Sequence, residues 1–134
     1  MTCMLFIGLQ EVKHKNKWVS GILSHIGGNS EQFNPYFVLS KTWLMGIGII
    51  VIIHMTHIAK ISHLQSATVA TGKGNVIGNK GGTAISFQFL ESTFLFINCH
   101  LAARAERFTK RAKNFTRIVK ELKLGILKVQ FFFY

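Results

Sequence analysis

Acidic residues are scarce in this chain. Only five of its 134 residues are acidic, all five are glutamates, and aspartate is absent. Sixteen lysines and arginines leave a formal net charge of +11. This imbalance favours an anionic partner, which would be a phosphoinositide, a nucleic acid or an acidic membrane surface, and charge alone does not choose among them.

Cysteine, proline and long apolar runs are also rare. Cys3 and Cys99 lack a CxxC partner and lie in apolar runs typical of buried free thiols, so we expect a reducing, cytoplasmic compartment. Pro35 is the only proline, and no low-complexity linker indicates disorder. The longest apolar run, Trp43 to Met55, falls short of the roughly 20 residues that span a bilayer. It predicts a buried strand and no transmembrane segment. Met1 to Leu9 lacks the basic start and cleavage pattern of a signal peptide.

The apolar fraction, 49%, is sufficient for one small core, and no repeat or domain boundary divides the chain. Alternation around Glu91-Ser92 predicts a hairpin. These patterns together indicate a mixed α/β layer. The predicted strands are Met4–Leu9, Tyr36–Leu39, Gly46–Ile53, Gln65–Ala70, Thr83–Phe89 and Thr93–Cys99; a helix is predicted at Trp18–Ile26 and a loop at Gly27–Asn34.

The strongest helical pattern runs from Ala105 to Leu122. Phe108, Ala112, Phe115, Val119 and Leu122 share an apolar face at helical spacing. The opposite face is basic, with Arg107, Lys110, Arg111, Lys113, Arg117 and Lys120. Such a face is usually solvated, but its few glutamates also allow a preference for lipid headgroups or nucleic acid.

Three local patterns could carry chemistry. Glu11 follows a predicted strand, which suits a Mg²⁺ ligand and equally suits a solvated glutamate. The glycine-rich segment Thr71 to Gly82 contains Asn79 and Lys80 and fits either an anion-binding loop or a flexible connection. It does not have the glycine spacing of a Walker A loop. His100 ends a predicted strand, where it would contact a phosphate or be a half-buried imidazole.

Two other patterns carry less weight. His54 and His57 lie three residues apart, but no acidic or cysteine ligand lies near them in the sequence, which disfavours a metal pair. Asn114 begins a glycosylation sequon within the predicted helix, and we discount it for a cytoplasmic chain.

The chain resembles the inositol-polyphosphate 5-phosphatases in four segments that occur in the same order. They are GLQE at Gly8–Glu11, TGKGNVIGNKGG at Thr71–Gly82, FINCHLAA at Phe96–Ala103 and the helix with Arg111 and Asn114. The sequence from Val69 to Gly81 resembles most the subgroup that acts on phosphatidylinositol 3,4,5-trisphosphate. The resemblance implies a partial deoxyribonuclease-I-like two-sheet sandwich with flanking helices. It also implies Mg²⁺-dependent hydrolysis of an inositol 5-phosphate, with contact at an anionic membrane.

By the same resemblance, Glu11 would hold Mg²⁺, His100 would contact the scissile phosphate, and Asn79 and Lys80 would bind another phosphate of the ring. The chain departs from the family because it lacks the later aspartate-bearing motifs and the first strands, and Ala112 replaces an asparagine. We therefore expect residues 1–134 to form an incomplete catalytic domain with an unassigned tail at 126–134. The implied activity would be impaired or absent. The alternatives are a non-catalytic basic module that binds phosphoinositide headgroups or other polyanions, and a nuclease of the same fold, which GNKGG followed by CHLAA disfavours.

Overall fold

The structure is a computed structural model and describes residues 3–27 and 33–125. Within these ranges the chain forms six strands and two α-helices. In chain order they are β1 (Met4–Leu9), α1 (Lys15–Gly27), β2 (Tyr36–Leu44), β3 (Ile47–His54), β4 (Ile61–Ala70), β5 (Gly81–Phe89), β6 (Ser92–His100) and α2 (Phe108–Glu121). Short 3-10 turns lie at Met55–Lys60, Lys73–Asn75 and Ala105–Arg107.

The described strands form two antiparallel sheets that stack face to face. One sheet has the order β1-β3-β2 and the other has the order β4-β5-β6. Ile49 and Val51 of β3 pack against Ile85 and Phe87 of β5, so the main core lies between the sheets. This arrangement confirms the predicted two-sheet sandwich with flanking helices.

Strand β3 is buried along its whole length. One of its faces lies in the core between the sheets, and the other carries Ile50 and Ile52 against Val19 of α1. Burial on both faces explains why this strand is a continuous apolar run rather than an alternating one. Each isoleucine buried in this way stabilises the fold by roughly 1.5–3 kcal/mol.

Helix α2 covers the outer face of the second sheet at Gly82. Ile118 is 1% exposed, and a Cβ atom at Gly82 would lie only 2.8 Å from its Cγ2 atom. Since Ile85 and Phe87 face the core, the even-numbered residues of β5, including Gly82, lie on the outer face of the sheet. The missing side chain at Gly82 therefore allows the helix to pack closely on the sheet.

The predicted hairpin is confirmed, although its turn lies one residue earlier than predicted. Phe89 pairs with Ser92 across the hairpin, which leaves Leu90 and Glu91 as the turn. The other predicted strands are confirmed with small shifts. Strand β2 continues to Leu44, and β4 begins at Ile61 instead of Gln65.

The apolar face predicted for the second helix is not its buried face. Phe108 is 72% exposed and Phe115 is 39% exposed, whereas Asn114 and Ile118 are buried. Asparagine is tolerated there because its side-chain amide is hydrogen-bonded at both ends. The α-helix also begins three residues later than predicted, after the 3-10 turn that starts at Ala105.

The predicted helix at Trp18–Ile26 is confirmed within α1, where Val19 is buried and Trp18 is 50% exposed. The expectation of two buried thiols is wrong for Cys3, which is exposed, whereas Cys99 is half-buried and desolvation there raises the pKa of its thiol. Most of the predicted loop after α1, residues 28–32, and the tail at 126–134 lie outside the described residues. No helix among the described residues is long and apolar enough to cross a membrane.

Candidate functional site

Three side chains that the sequence singled out meet at one edge of the sandwich. His100 Nε2 lies 3.3 Å from Glu11 Oε1, and Lys80 Nζ lies 4.0 Å from the same oxygen. The side chains of Lys80 and His100 are also in contact. We call these three residues the Glu11 cluster. They meet because Gly81 pairs with His100 across β5 and β6, which places Lys80 beside the imidazole.

The turn after β1 brings the Glu11 carboxylate into the cluster. Glu11 has a φ of 57°, a left-handed conformation that a glutamate rarely adopts. The next residue fixes this turn, because the Val12 N–H donates to the Gly46 carbonyl at 3.0 Å. A Cβ atom at Gly46 would lie 3.2 Å from the Val12 backbone nitrogen, so this close approach favours glycine.

Gln10 determines how the His100 ring is oriented. The Gln10 Nε2 atom donates to the Cys99 carbonyl at 2.8 Å, and its Oε1 atom lies 2.8 Å from His100 Nδ1. An amide oxygen only accepts, so this pairing places the imidazole proton on Nδ1. The Nε2 atom then faces Glu11 and Lys80. It accepts from the Lys80 ammonium when the ring is neutral, and a protonated ring donates from it.

Asn98 ties the two sheets together directly below the cluster. Its Nδ2 atom donates to the Leu9 carbonyl at 2.9 Å and to the Gly48 carbonyl at 2.7 Å. The amide therefore links β6 to both β1 and β3. Sequence reasoning assigned no role to Asn98 or Gln10. The available signal for Asn98 was one asparagine inside an otherwise apolar strand.

Two side chains of α2 hold the segment that follows His100. Asn114 accepts from the Ala102 N–H at 3.2 Å and donates to the Thr71 carbonyl at 3.4 Å. Arg111 donates to three backbone carbonyls of the same segment, those of Ala102 at 3.3 Å, Arg104 at 2.5 Å and Ala105 at 3.1 Å. The helix is therefore part of the site's support, although neither side chain belongs to the cluster.

The glycine-rich loop is closed by a backbone hydrogen bond and is closely packed at most of its glycines. The Thr71 N–H closes it by donating to the Lys80 carbonyl at 2.8 Å. Only Gly74, with a φ of 65°, has open space where a side chain would project. The other glycines lie against protein atoms: Gly72 at the Ile77 carbonyl, Gly78 at Leu44, Gly81 at the Val69 carbonyl and Gly82 at Ile118. In this structure these four glycines allow close packing, and anion binding by the loop stays a prediction.

Asn79 is not part of the cluster. Its side chain is exposed, and its Oδ1 atom lies next to Gly72. Within the described ranges it forms no hydrogen bond or ion pair with Glu11, Lys80 or His100. The structure thus brings together three of the four predicted site residues.

The donor atoms at the cluster fit a magnesium ion only as a site with one protein carboxylate. Glu11 is 77% exposed and supplies the carboxylate oxygens. Mg²⁺ prefers oxygen ligands, usually keeps several waters and often binds one or two carboxylates together with substrate phosphates. The described residues contain no group of three or more histidine, cysteine or acidic side chains arranged for a metal. The Lys80 ammonium also competes for the same carboxylate.

His54 and His57 have local structural roles. The ring of His54 caps the following 3-10 turn, because it accepts a hydrogen bond from the Thr56 N–H. The same ring lies 2.8 Å from the Thr56 hydroxyl. His57 Nδ1 lies 3.4 Å from Lys60 Nζ. Their ring centroids are 6.3 Å apart.

Comparison with known proteins relates this chain to phosphatases. Three curated relatives are phosphatidylinositol 3,4,5-trisphosphate 5-phosphatases: 2A of Danio rerio, 37% identical over 90 residues; 2 of Homo sapiens, 36% over 90; and 1 of Xenopus laevis, 37% over 94. These matches cover 67%, 67% and 70% of this chain but only 7%, 7% and 9% of the relatives.

A solved structure shares the fold. It is the inositol polyphosphate 5-phosphatase domain of SPsynaptojanin in complex with inositol (1,4)-bisphosphate and calcium ion, with a TM-score of 0.83 and 22% identity. The match covers 94% of this chain and 39% of that one. The model of Endonuclease/Exonuclease/phosphatase family 2 matches residues 3–133. The chain therefore belongs to the endonuclease/exonuclease/phosphatase family.

Proposed function

We propose that this chain carries the metal-binding and phosphate-binding part of an inositol-polyphosphate 5-phosphatase site. The observation that carries the proposal is the convergence of Glu11, Lys80 and His100 from three separate segments within 4.0 Å contacts. A carboxylate, an ammonium and an oriented imidazole together suit a phosphate group bound through a divalent cation. The curated relatives, which are named as phosphoinositide 5-phosphatases, support the choice of substrate class.

Each side chain has a distinct part in this proposal. The Glu11 carboxylate would hold Mg²⁺, which when bound neutralises phosphate charge and orients a water molecule. His100 would contact the scissile phosphate through Nε2; because Gln10 holds one proton on Nδ1, Nε2 donates to a phosphate oxygen only when the ring carries a second proton. The Lys80 ammonium, on a side chain only 22% exposed, binds a second phosphate of the ring. Asn79 precedes Lys80, and its exposed amide would turn toward that phosphate.

We further propose that the 134-residue chain hydrolyses the phosphate slowly or not at all. Hydrolysis needs a base or a metal-bound hydroxide positioned for attack. Among the described residues, Glu11 is the one carboxylate in the cluster, and it is committed to the metal in this scheme. The alternative, a non-catalytic module that binds phosphoinositide headgroups in the cytoplasm or at an anionic membrane, is favoured by the same observation.

Titration of the soluble headgroup inositol 1,4,5-trisphosphate into the chain tests the binding role of Lys80. Loss of one charge-assisted contact costs about 1.5–3 kcal/mol, so Lys80→Ala should bind roughly 10- to 150-fold more weakly. Lys41→Ala removes the same charge from an exposed position on β2 and should bind like the wild type. Equal affinities for Lys80→Ala and Lys41→Ala would remove Lys80 from the site. Displacement of the headgroup by DNA at equal phosphate concentration would favour a nuclease instead.

A further inference from the structure

A basic groove lies between the glycine-rich loop and α2. Its volume is about 780 Å³, and its walls are the stretch from Thr71 to Asn75 and one side of the helix. Neither Glu11, Lys80 nor His100 lines it, so it is separate from the Glu11 cluster. Cavities of roughly 300–1,000 Å³ are typical of sites for small ligands.

The cations of this groove are concentrated and poorly balanced. Five basic side chains face one acidic side chain, Glu121, which already pairs with Arg117 at 2.8 Å. The Nε atom of Arg117 is buried and has no hydrogen-bond partner. The five cations are Lys73 on the loop and Lys110, Lys113, Arg117 and Lys120 on the helix.

The spacing of these side chains matches a ligand with several separated negative charges. Positions 110, 113, 117 and 120 recur at helical spacing, so they form one stripe along α2. At 1.5 Å per residue this stripe is about 15 Å long. Lys73 belongs to the loop that forms the opposite wall, so both walls of the groove carry positive charge.

The groove suits a small phosphorylated ligand better than a nucleic acid. Its described lining contains no aromatic side chain on which a base would stack. Stacking platforms are the usual partner of a basic groove in proteins that bind single-stranded nucleic acid. A ligand recognised here would therefore be bound mainly through its negatively charged groups.

We propose that this groove is a second, non-catalytic binding site for a small, multiply phosphorylated anion, either free in solution or as a lipid headgroup. The Thr71 backbone, which lines the groove, is hydrogen-bonded to the Lys80 carbonyl, so the two sites are neighbours. The test therefore uses separate variants in the groove and in the Glu11 cluster. It does not depend on hydrolysis or on Mg²⁺.

The experiment is calorimetric titration of inositol hexakisphosphate into the full chain in EDTA, with Lys80→Ala as the common background. In that background, the triple variant Lys110→Gln, Lys113→Gln and Lys120→Gln should bind about 5- to 150-fold more weakly, because each of the three exposed charge pairs contributes a few tenths to 1 kcal/mol. The matched triple variant Lys13→Gln, Lys17→Gln and Lys41→Gln carries the same charge change outside the groove and should lose less than about threefold. Circular dichroism checks that all variants fold, which is expected because these lysines are exposed.

Sedimentation with phosphatidylcholine vesicles that contain phosphatidylinositol 4,5-bisphosphate distinguishes the source of the ligand. If the groove triple variant binds the vesicles more weakly than the matched variant does, and inositol hexakisphosphate competes for that binding, the ligand is a lipid headgroup. If the groove triple variant loses affinity only for inositol hexakisphosphate and not for the vesicles, the ligand is a free anion. Equal losses in the two triple variants, or no loss in either, would overturn the proposal. Tighter groove-dependent binding of a single-stranded oligonucleotide than of the soluble probe would overturn it as well. Failure of Lys80→Ala to weaken trisphosphate binding would bear only on the Glu11 cluster.

Discussion

Replacement of Asn114 by alanine should destabilise the fold by about 2–3 kcal/mol. The side chain is buried, and its shorter hydrogen bond accepts from the Ala102 N–H at 3.2 Å. The bond to the Thr71 carbonyl, at 3.4 Å, is long and contributes less. Each net hydrogen bond is worth about 0.5–1.5 kcal/mol, and a buried donor left without a partner costs about 1–3 kcal/mol. The Ala102 N–H therefore accounts for most of the loss.

Urea unfolding followed by circular dichroism measures this loss directly. The corresponding fall in melting temperature should be about 6–15 °C, since 1 kcal/mol shifts the midpoint by roughly 3–5 °C in a chain of this size. Thr116→Ala is the matched control, because Thr116 is exposed on the same helix and its replacement should cost less than about 0.5 kcal/mol. A loss below about 0.5 kcal/mol for Asn114→Ala would refute the view that this asparagine anchors the segment after His100.

Three further changes test other parts of the structure. Gly82→Ala should lower the free energy of unfolding by about 1–3 kcal/mol, because its new methyl group meets Ile118. Ile118→Ala should partly relieve this clash, so the double variant should lose less stability than the sum of the two single losses. Strictly additive losses would contradict the contact between Gly82 and Ile118. Iodoacetamide at pH 8 should modify the exposed Cys3 before Cys99, because burial shields the Cys99 thiol and raises its pKa, which keeps it protonated. Faster labelling of Cys99 than of Cys3 would argue against the burial of Cys99. Mg²⁺ should raise the melting temperature of the wild type but not of Glu11→Gln, and equal protection of both would exclude Glu11 as the ligand.

The sandwich was predictable because its strands carry strong local signals. The apolar run around Ile47–Ile53 requires burial on both faces, and the alternation in β5 and β6 indicates a hairpin. The buried face of α2 was not predictable from periodicity. Asn114 is buried there because of hydrogen bonds to residues 12 and 43 positions away, and a helical pattern contains no information about such partners.

Three of the four predicted site residues come together in the structure, whereas Asn79 does not join them and the supporting contacts were not predictable. Glu11, Lys80 and His100 stand out in the sequence through motif resemblance, and the structure places them together. The role of Gln10 depends on a hydrogen bond across 90 positions, so only the folded chain reveals it. The packing of the loop glycines likewise depends on Leu44 and Ile118, which lie far away in the sequence.

Phosphate release from inositol 1,4,5-trisphosphate by the purified, folded chain tests the central claim most directly. The assay would compare Mg²⁺ with EDTA and would include His100→Ala as the control for contaminating phosphatase. We predict headgroup binding without EDTA-sensitive release above the His100→Ala level, because the cluster is proposed to bind phosphate and, among the described residues, contains no second carboxylate to activate water. EDTA-sensitive release that disappears in His100→Ala would contradict this account and would mean that another residue of the chain activates the water.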